Sequence, residues 1–176
     1  MTMRKLSILA FLLATMPVRV TADSPPPTVR SVELSRYVGK WYEIARYPNR
    51  FQRDCMGEVT AEYTLRKDGK IAVLNSCRKK NGSLSQARGT AKIADATTNS
   101  KLKVTFFWPF YGNYWIVDLP SDYSYAIVGE PQRKYLWILS RTPKMDPVLY
   151  ESLLLKVEQI GYDPEKLIKT PQSGAS

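Results

Sequence analysis

Eight short segments between Trp41 and Arg141 carry the residue pattern of β-strands, with turn residues between them at close spacing. Lys67-Asp68-Gly69, for example, predicts a hairpin turn between two of these segments. Short strands separated this regularly by turns predict an all-β sandwich or barrel. The segments cover residues 41–47, 59–65, 71–77, 86–94, 101–107, 113–119, 123–129 and 134–141.

One α-helix is predicted after the last strand. Asp146-Pro147 supplies a capping residue and a proline at the first helical position, apolar residues recur at helical spacing as far as Ile160, and Gly161 ends the helix. Eight antiparallel strands joined in sequence order can close into an up-and-down barrel, which removes exposed strand edges. The interior of such a barrel is either a packed core or a pocket for one small ligand.

Three short motifs occur at fixed places relative to these strands. The block Gly39-Lys40-Trp41-Tyr42-Glu43-Ile44-Ala45-Arg46 follows a helical-looking turn, Ser121-Asp122-Tyr123 begins just before the Tyr-Ala-Ile-Val strand, and Leu139-Ser140-Arg141 ends the eighth segment. This ordered set resembles the lipocalin family, and within it the bacterial lipocalins and apolipoprotein D. The resemblance covers about residues 32–171. It implies an all-β, eight-stranded antiparallel up-and-down barrel, the lipocalin calyx, with one C-terminal α-helix packed outside.

The resemblance also implies structural roles for five motif residues. Trp41 forms the floor of the closed end, and Arg141 lies over its ring in a cation–π contact. The same guanidinium caps backbone carbonyls of the preceding turn, which lysine could not do because it lacks the planar fork. Gly39 lets that turn pass close to the strand. Asp122 and Tyr123 are interpreted as turn and closure residues, not as catalytic groups.

Strand alternation predicts which side chains face the interior. Trp41 and Arg141 are taken as inward, which leaves the apolar set Tyr42, Ile44, Leu136 and Ile138 outward, where the helix can cover it. Glu43 is interpreted either as a polar anchor at the pocket floor or as a residue paired with a nearby tyrosine or arginine. Phe51 is a candidate lid in the long first loop. The predicted ligand-binding residues are Glu43, Ala45, Tyr47, Phe51, Val59, Tyr63, Val73, Val104, Phe106, Trp115, Val117, Tyr125, Trp137 and Leu139, and Ile127 is placed on the same inward face.

Trp108-Pro109-Phe110-Tyr111-Gly112 is predicted to be an exposed apolar turn. An apolar cluster in a loop indicates a contact surface. Three interpretations stay open: it rims the pocket, it makes a peripheral membrane contact, or it joins two copies. The protein is accordingly expected to be a monomer or a homodimer.

Cys55 and Cys77 are the only cysteines, and in an oxidising compartment a disulfide between them is expected. A hairpin centred on Asp68, however, places Cys77 opposite Val59. The remaining offset of four residues is roughly 13 Å along a strand, whereas a disulfide needs Cα atoms within about 7 Å. The pairing therefore requires the chain before Val59 to fold back.

The ends of the chain lie outside the predicted domain. Residues 1–22 combine Arg4 and Lys5 with an apolar stretch too short to span a bilayer and small residues before Asp23, as in a signal peptide. Residues 23–31 are predicted to be an extended tether, 32–171 the lipocalin domain and 172–176 a flexible tail. No cysteine lies at the cleavage point to carry a lipid anchor, so we expect a soluble periplasmic or secreted protein; association with the outer membrane is the alternative.

Composition narrows the function. The chain contains no histidine, no phosphate-binding glycine loop and no nucleophile motif, so we predict neither an enzyme nor a metal or other cofactor. Nor does it contain a nucleic-acid-binding motif. Signal cleavage would lower the net charge from +10 to +7, because it removes Arg4, Lys5 and Arg19 and no acid. We attribute this charge to solubility, although it would also favour anionic surfaces or ligands.

The resemblance implies binding, storage or transport of a hydrophobic lipid, a fatty acid or lysophospholipid, in the cell envelope. Burying a hydrocarbon chain in an apolar calyx provides the driving force, roughly 0.8 kcal/mol per methylene. Two alternatives remain open at this point. One is a structural envelope protein with a filled barrel, and the other is a lipocalin-type enzyme that acts on a lipid.

Overall fold

The computed structural model describes residues 24–173. The predicted signal peptide at 1–22, the first tether residue and the last three residues of the tail lie outside this range. Within it no helix is both long and apolar enough to cross a membrane.

Eight antiparallel strands close into a barrel, as predicted. Each strand pairs with the next from β2 to β8, and β1 closes the ring by pairing with both β8 and β2. A short helix, α1, precedes the barrel, and a longer one, α2, follows it. The elements are α1 Leu34–Tyr37, β1 Gly39–Arg46, β2 Cys55–Leu65, β3 Ile71–Lys79, β4 Leu84–Ile93, β5 Lys101–Phe107, β6 Phe110–Asp118, β7 Tyr125–Gly129, β8 Leu136–Ser140, α2 Pro147–Gln159 and β9 Ile168–Lys169.

Strand directions define two ends of the barrel. β1 starts at the end that holds Trp41 and Arg141, which we call the closed end, and runs to the opposite end, which we call the mouth. Because neighbouring strands are antiparallel, the mouth carries the β1–β2, β3–β4, β5–β6 and β7–β8 connections. We call residues 47–54, 78–83, 106–111 and 130–135 the mouth loops.

The ninth strand was not predicted. The first half of β1 pairs with β2, but its second half pairs with β9, where Ala45 lies opposite Lys169 and Arg46 opposite Ile168. The residues that follow β9 continue along this seam, since Gln172 donates to the carbonyls of both Glu43 and Val59. The C-terminal segment therefore fills the gap between β1 and β2 near the mouth.

The expected disulfide between Cys55 and Cys77 is formed. As far as Thr60 opposite Ser76, the register of β2 and β3 follows the predicted hairpin. Two register shifts then displace the start of β2, so that Cys55 lies opposite Lys79. The two Cα atoms are 5.6 Å apart, within the range that a disulfide spans. The strand thus begins at Cys55 and not at Val59, and the bulges supply the fold-back that the pairing required.

Helix α2 packs on the outer surface of the barrel. The Asp146 carboxylate accepts a hydrogen bond from the Leu149 amide at its N-terminus, and Gly161, with φ of +83°, follows its end. Its buried side chains are Tyr150, Leu153 and Val157. They belong to an apolar cluster with strand residues that is separate from the cluster inside the barrel. The barrel wall beneath α2 is therefore buried on both faces.

Candidate functional site

On strands β6 and β7 the side chains that face the interior are not the ones predicted to face it. Tyr114 and Ile116 of β6, and Ala126 and Val128 of β7, belong to the interior cluster. The predicted inward orientation of four residues is wrong, because they pack outside the barrel in the cluster that α2 covers. Both faces of these strands are apolar, so alternation of polarity could not distinguish inside from outside. The four residues are Trp115, Val117, Tyr125 and Ile127.

A bulge in β1 reverses which side chains face the interior at the end of that strand. The register against β8 shifts between Glu43 and Ala45, so Ala45 and Tyr47 join the outer cluster. Their predicted inward orientation is wrong for this reason. Tyr47 instead exchanges hydrogen bonds with the backbone of Asp163. Arg46 lies between the two, is buried, and contacts the interior side chain of Glu43.

The closed end is built from Trp41 and Arg141. The Arg141 Cζ atom lies 3.7 Å from the centre of the Trp41 ring system, and the indole donates to the Tyr37 carbonyl at 2.8 Å. Arg141 also donates to the carbonyls of Arg36, Tyr37, Val38, Lys40 and Tyr123. A Cβ at Gly39, where φ is +95°, would lie 3.4 Å from the guanidinium. These contacts hold the buried indole and the guanidinium together at this end of the barrel.

Asp122 holds the β6–β7 turn, and Tyr123 connects that turn to the α1 segment. The Asp122 carboxylate accepts a hydrogen bond from the Ser124 amide, and this bond lowers the pKa of Asp122. The Tyr123 hydroxyl accepts a hydrogen bond from the Glu33 amide, and its ring lies 4.1 Å from the Arg36 guanidinium carbon. These contacts are those of turn residues.

Above the closed end, three tyrosine hydroxyls meet inside the barrel. The Tyr114 hydroxyl lies 2.7 Å from that of Tyr37 and 3.0 Å from that of Tyr63. Burial raises the pKa of Tyr63 to about 12, and those of Tyr37 and Tyr114 well above the ordinary value. A cavity of about 10 Å³ adjoins the three rings, which is room for about one water molecule. The closed half of the barrel is thus a packed core.

The tyrosine cluster predicts a loss of stability in alkali. The unfolded chain releases tyrosine protons near pH ~10, whereas the folded state retains the protons of Tyr37, Tyr63 and Tyr114. Above that pH the unfolded state holds fewer protons, so the free energy of unfolding falls as pH rises. Urea unfolding and phenolate absorbance should be followed between about pH 8 and 12.

Tyr63→Phe should reduce this pH dependence, while Tyr111→Phe, at the exposed hairpin, should leave it unchanged. Titration of every tyrosine near pH ~10 with the strands intact by circular dichroism would contradict the buried cluster.

Towards the mouth the interior contains a polar network around Glu43. Its carboxylate accepts hydrogen bonds from Arg46 at 2.9 Å, Thr170 at 2.5 Å and Gln52 at 2.5 Å. The Trp137 indole donates to the Gln52 amide oxygen. Of the two interpretations of Glu43, the paired one describes these contacts. The buried Nε of Arg46 has no hydrogen-bond partner among residues 24–173.

The other predicted site residues lie inside the barrel or at its mouth. Tyr63, Val73, Val104, Trp137 and Leu139 belong to or pack against the interior cluster, and Val59 is buried on β2. The Phe106 ring passes over Gly89, where a Cβ would lie 2.9 Å from it, so the absence of a side chain makes room for the ring. Phe51 is 64% exposed and contacts Tyr135, which in turn stacks on Trp137.

Four interior polar residues were not predicted from the sequence. Arg46 becomes inward through the β1 bulge, and Gln52 reaches Glu43 from a 3-10 turn in the first loop. Tyr114 was missed because its neighbour Trp115 was predicted to be the inward residue of β6. Asn75 could have been found, since it follows Val73 by two residues on β3; its buried side-chain oxygen has no partner within the described chain. A bulge leaves no simple signal in the sequence, whereas the alternation along β3 predicts that Asn75 faces the interior.

The geometry of the barrel defines a class of protein. A barrel whose closed end holds Trp41 and Arg141, whose lower half is packed and whose mouth carries partly exposed apolar and polar side chains has the architecture of a calyx-type protein. A lipocalin-like domain family matches residues 32–172. The chain therefore belongs to the lipocalin-like family, whose members bind small hydrophobic ligands.

Individual relatives support the assignment. Temperature-induced lipocalin-1 of Arabidopsis thaliana is 43% identical over 88% of this chain and 87% of its own length. Outer membrane lipoprotein Blc of Escherichia coli K12 is 39% identical over 98% of this chain and all of its own. The structure of insecticyanin from Manduca sexta superposes with a TM-score of 0.68 at 27% identity, covering 87% of this chain and 86% of that one. The predicted resemblance to lipocalins is confirmed, as is that to apolipoprotein D, which is 33% identical in mouse.

Proposed function

We propose that this protein binds a fatty acid or lysophospholipid through the mouth of the barrel and stores or transports it in the cell envelope. One observation carries the proposal: apolar side chains that face the interior remain partly exposed near the mouth, although the closed half is packed. Phe106 and Trp137 are the clearest cases. An acyl chain laid against them would be removed from water together with their exposed rings.

The packed lower half sets the depth of the proposed site. Tyr37, Tyr63 and Tyr114 occupy the barrel above Trp41 and leave space for about one water molecule. The end of an acyl chain would therefore stop above the tyrosine hydroxyls. The chain would lie in the mouth half, between β1, β3 and β5.

Arg46 provides a place for an anionic head group. Its Nη1 atom is paired with Glu43, but its Nε atom is buried without a partner among the described residues. A buried donor without a partner carries a free-energy penalty that a ligand oxygen would remove. A carboxylate or phosphate beside Arg46 would thus be favoured, and the polar network would orient it.

The proposed location rests on relatives. Escherichia coli Blc is an outer membrane lipoprotein by name, and residues 1–22 have the composition of a signal peptide. We infer export to the cell envelope, with cleavage after Ala22. N-terminal sequencing of the exported protein tests this, and an uncleaved N-terminus would contradict it.

Affinity should rise with acyl chain length until the mouth half is full. Each added methylene should tighten binding roughly fourfold, because removing one methylene from water contributes about 0.8 kcal/mol to the binding free energy. The measurement is a titration of delipidated protein with fatty acids and lysophospholipids of increasing length. A head-group contribution should weaken with salt, whereas the chain-length contribution should persist.

The substitution Ala87→Trp should fill the proposed site. Ala87 lies opposite Asn75 on β4 and shares the inward face of Ala91 near the mouth. Ala87→Trp should weaken binding, and Gln86→Trp, on the outward face beside it, should not. Affinity that is independent of chain length would contradict the proposal, as would equal affinities of the two variants.

A filled barrel is the second candidate, because the cavity beside the tyrosines is only about 10 Å³. In that case the interior stabilises the fold and holds no ligand. Delipidated protein would then bind none of the fatty acids or lysophospholipids, and Ala87→Trp would change only stability.

A further inference from the structure

The β5–β6 hairpin ends in a cluster of exposed aromatic side chains. Phe107, Trp108 and Phe110 are 81, 82 and 78% exposed, and Tyr111 beside them is also exposed. We call these four residues the aromatic tip. The sequence predicted a longer turn, but β6 begins at Phe110, which lies opposite Phe107, so the tip extends from paired strands. A solvent-exposed apolar cluster of this kind marks an interaction surface.

The exposed apolar side chains gather at one end of the barrel. Besides the aromatic tip, Phe51, Met56 and Leu84 are exposed around the mouth. Among the described residues, the large apolar side chains exposed near the closed end are Leu65 on β2 and Val148 at the start of α2, fewer than at the mouth. The apolar surface therefore surrounds the opening through which a ligand would enter.

Charge is distributed with the same asymmetry. The mouth loops carry seven basic residues against two acidic ones. The connections at the closed end, residues 32–38, 66–70, 94–100, 119–124 and 141–146, carry six basic against five acidic. One mouth cation, Arg78, pairs with Glu58, while Lys79 and Lys80 beside it are exposed and have no acidic neighbour in their loop. The mouth thus combines exposed aromatic rings with positive charge.

We propose that the mouth docks on an anionic lipid bilayer, with the aromatic tip inserted at the level of the head groups and the mouth-loop cations on the lipid phosphates. Tryptophan and other aromatic rings are favoured at this depth, and each basic residue near an anionic surface adds attraction that salt screens. Docking goes beyond ligand binding, since it specifies where the opening lies when a ligand is taken up.

Charge also decides between a bilayer and a second copy of the chain. A symmetric dimer through the aromatic tip would bring two mouths of the same sign together. Like charges at an interface oppose association, whereas an anionic membrane neutralises them. The bilayer is therefore the occupant that satisfies both the apolar and the charged features of this surface.

Vesicle flotation with the whole mature protein tests the proposal. The protein should bind vesicles of phosphatidylcholine and phosphatidylglycerol, and bind vesicles of phosphatidylcholine alone far more weakly. Trp108→Ser/Phe110→Ser should reduce this binding by about tenfold or more. Val148→Ser/Leu155→Ser, which removes two exposed apolar side chains from α2, should bind like the parent.

A pair of charge variants tests the electrostatic contribution. Lys79→Glu/Lys80→Glu should remove the preference for anionic vesicles. Lys67→Glu/Lys144→Glu changes the net charge equally but at the closed end, and should retain that preference. If the double tip variant does not fold by circular dichroism, the single variant Trp108→Ser replaces it, because Trp108 is 82% exposed and lies in a turn.

Three results would overturn the docking proposal. They are absence of binding to either vesicle, equal binding by the tip variant and the parent, and concentration-dependent dimerisation that the tip variant abolishes without any effect of vesicles. Fatty-acid titration in vesicle-free buffer separates docking from ligand binding. The tip variant should titrate like the parent, and loss of its ligand affinity would assign the tip to the pocket instead.

Discussion

Trp41→Ala should lower the free energy of unfolding by about 3–5 kcal/mol. The side chain is fully buried, its ring lies against Tyr37 at 5.2 Å between centroids, and its indole donates to the Tyr37 carbonyl. Truncation removes the apolar surface, leaves a cavity and leaves Arg141 without a ring beneath it. Urea unfolding followed by far-ultraviolet circular dichroism measures the loss.

Arg141→Lys should cost less, about 1–2 kcal/mol. An ammonium keeps the charge but cannot reach the carbonyls of Arg36, Val38 and Lys40 together. Trp108→Ala is the matched control, because Trp108 is exposed, and it should change stability by no more than about 0.5 kcal/mol. If Trp41→Ala and Trp108→Ala unfold at the same urea concentration, the closed end does not stabilise the barrel.

The strand pattern, the helix and the barrel class were all readable from the sequence. Alternation along β2 and β5, the Asp68 turn and the capped helix at Asp146 each have a local cause, so local patterns predict them. β9 was not predictable, because a strand of two residues has no periodicity. Its pairing with β1 depends on a gap that exists only in the closed barrel.

The inward orientation of the candidate side chains was predicted correctly only in part, because α2 covers one side of the barrel. On β3 and β5, where one face meets water, the interior residues Val73 and Val104 were correctly placed. Under α2 both faces of the wall are buried, so the apolar pattern on β6 and β7 does not distinguish inside from outside. Placing Trp115 inward therefore left its neighbour Tyr114 outward by alternation, whereas Tyr114 lies inside. The β1 bulge had the opposite effect, because it turned Ala45 out and Arg46 in.

Removing one partner of the Glu43–Arg46 pair should destabilise the protein strongly. Both side chains are almost fully buried, so Arg46→Met leaves the Glu43 carboxylate in the barrel with only the neutral donors of Thr170 and Gln52. Loss of one member of a buried ion pair costs about 3–5 kcal/mol. Glu43→Gln should be similarly harmful, since it leaves the guanidinium unpaired.

Replacing both partners should be less damaging than replacing Arg46 alone, because Glu43→Gln/Arg46→Met contains no buried charge. The four free energies of unfolding form a double-mutant cycle whose coupling term reports the pair directly. A surface pair offers the control: Asp68→Asn/Lys70→Met, in an exposed turn, should show coupling below about 1 kcal/mol. A coupling free energy between Glu43 and Arg46 as small as that of the surface pair would contradict a buried, desolvated ion pair.

The same double variant separates stability from ligand binding. If the free Nε of Arg46 receives an acidic head group, the folded double variant should lose about tenfold or more in affinity for a fatty acid, the value of one hydrogen bond to a charged group. It should bind the fatty alcohol of equal chain length as well as the parent does, because the apolar contact is unchanged. Equal losses of affinity for the acid and the alcohol would mean that Arg46 shapes the mouth but does not bind the head group. No loss for either would place the head group outside the barrel, beside the cations of the mouth loops.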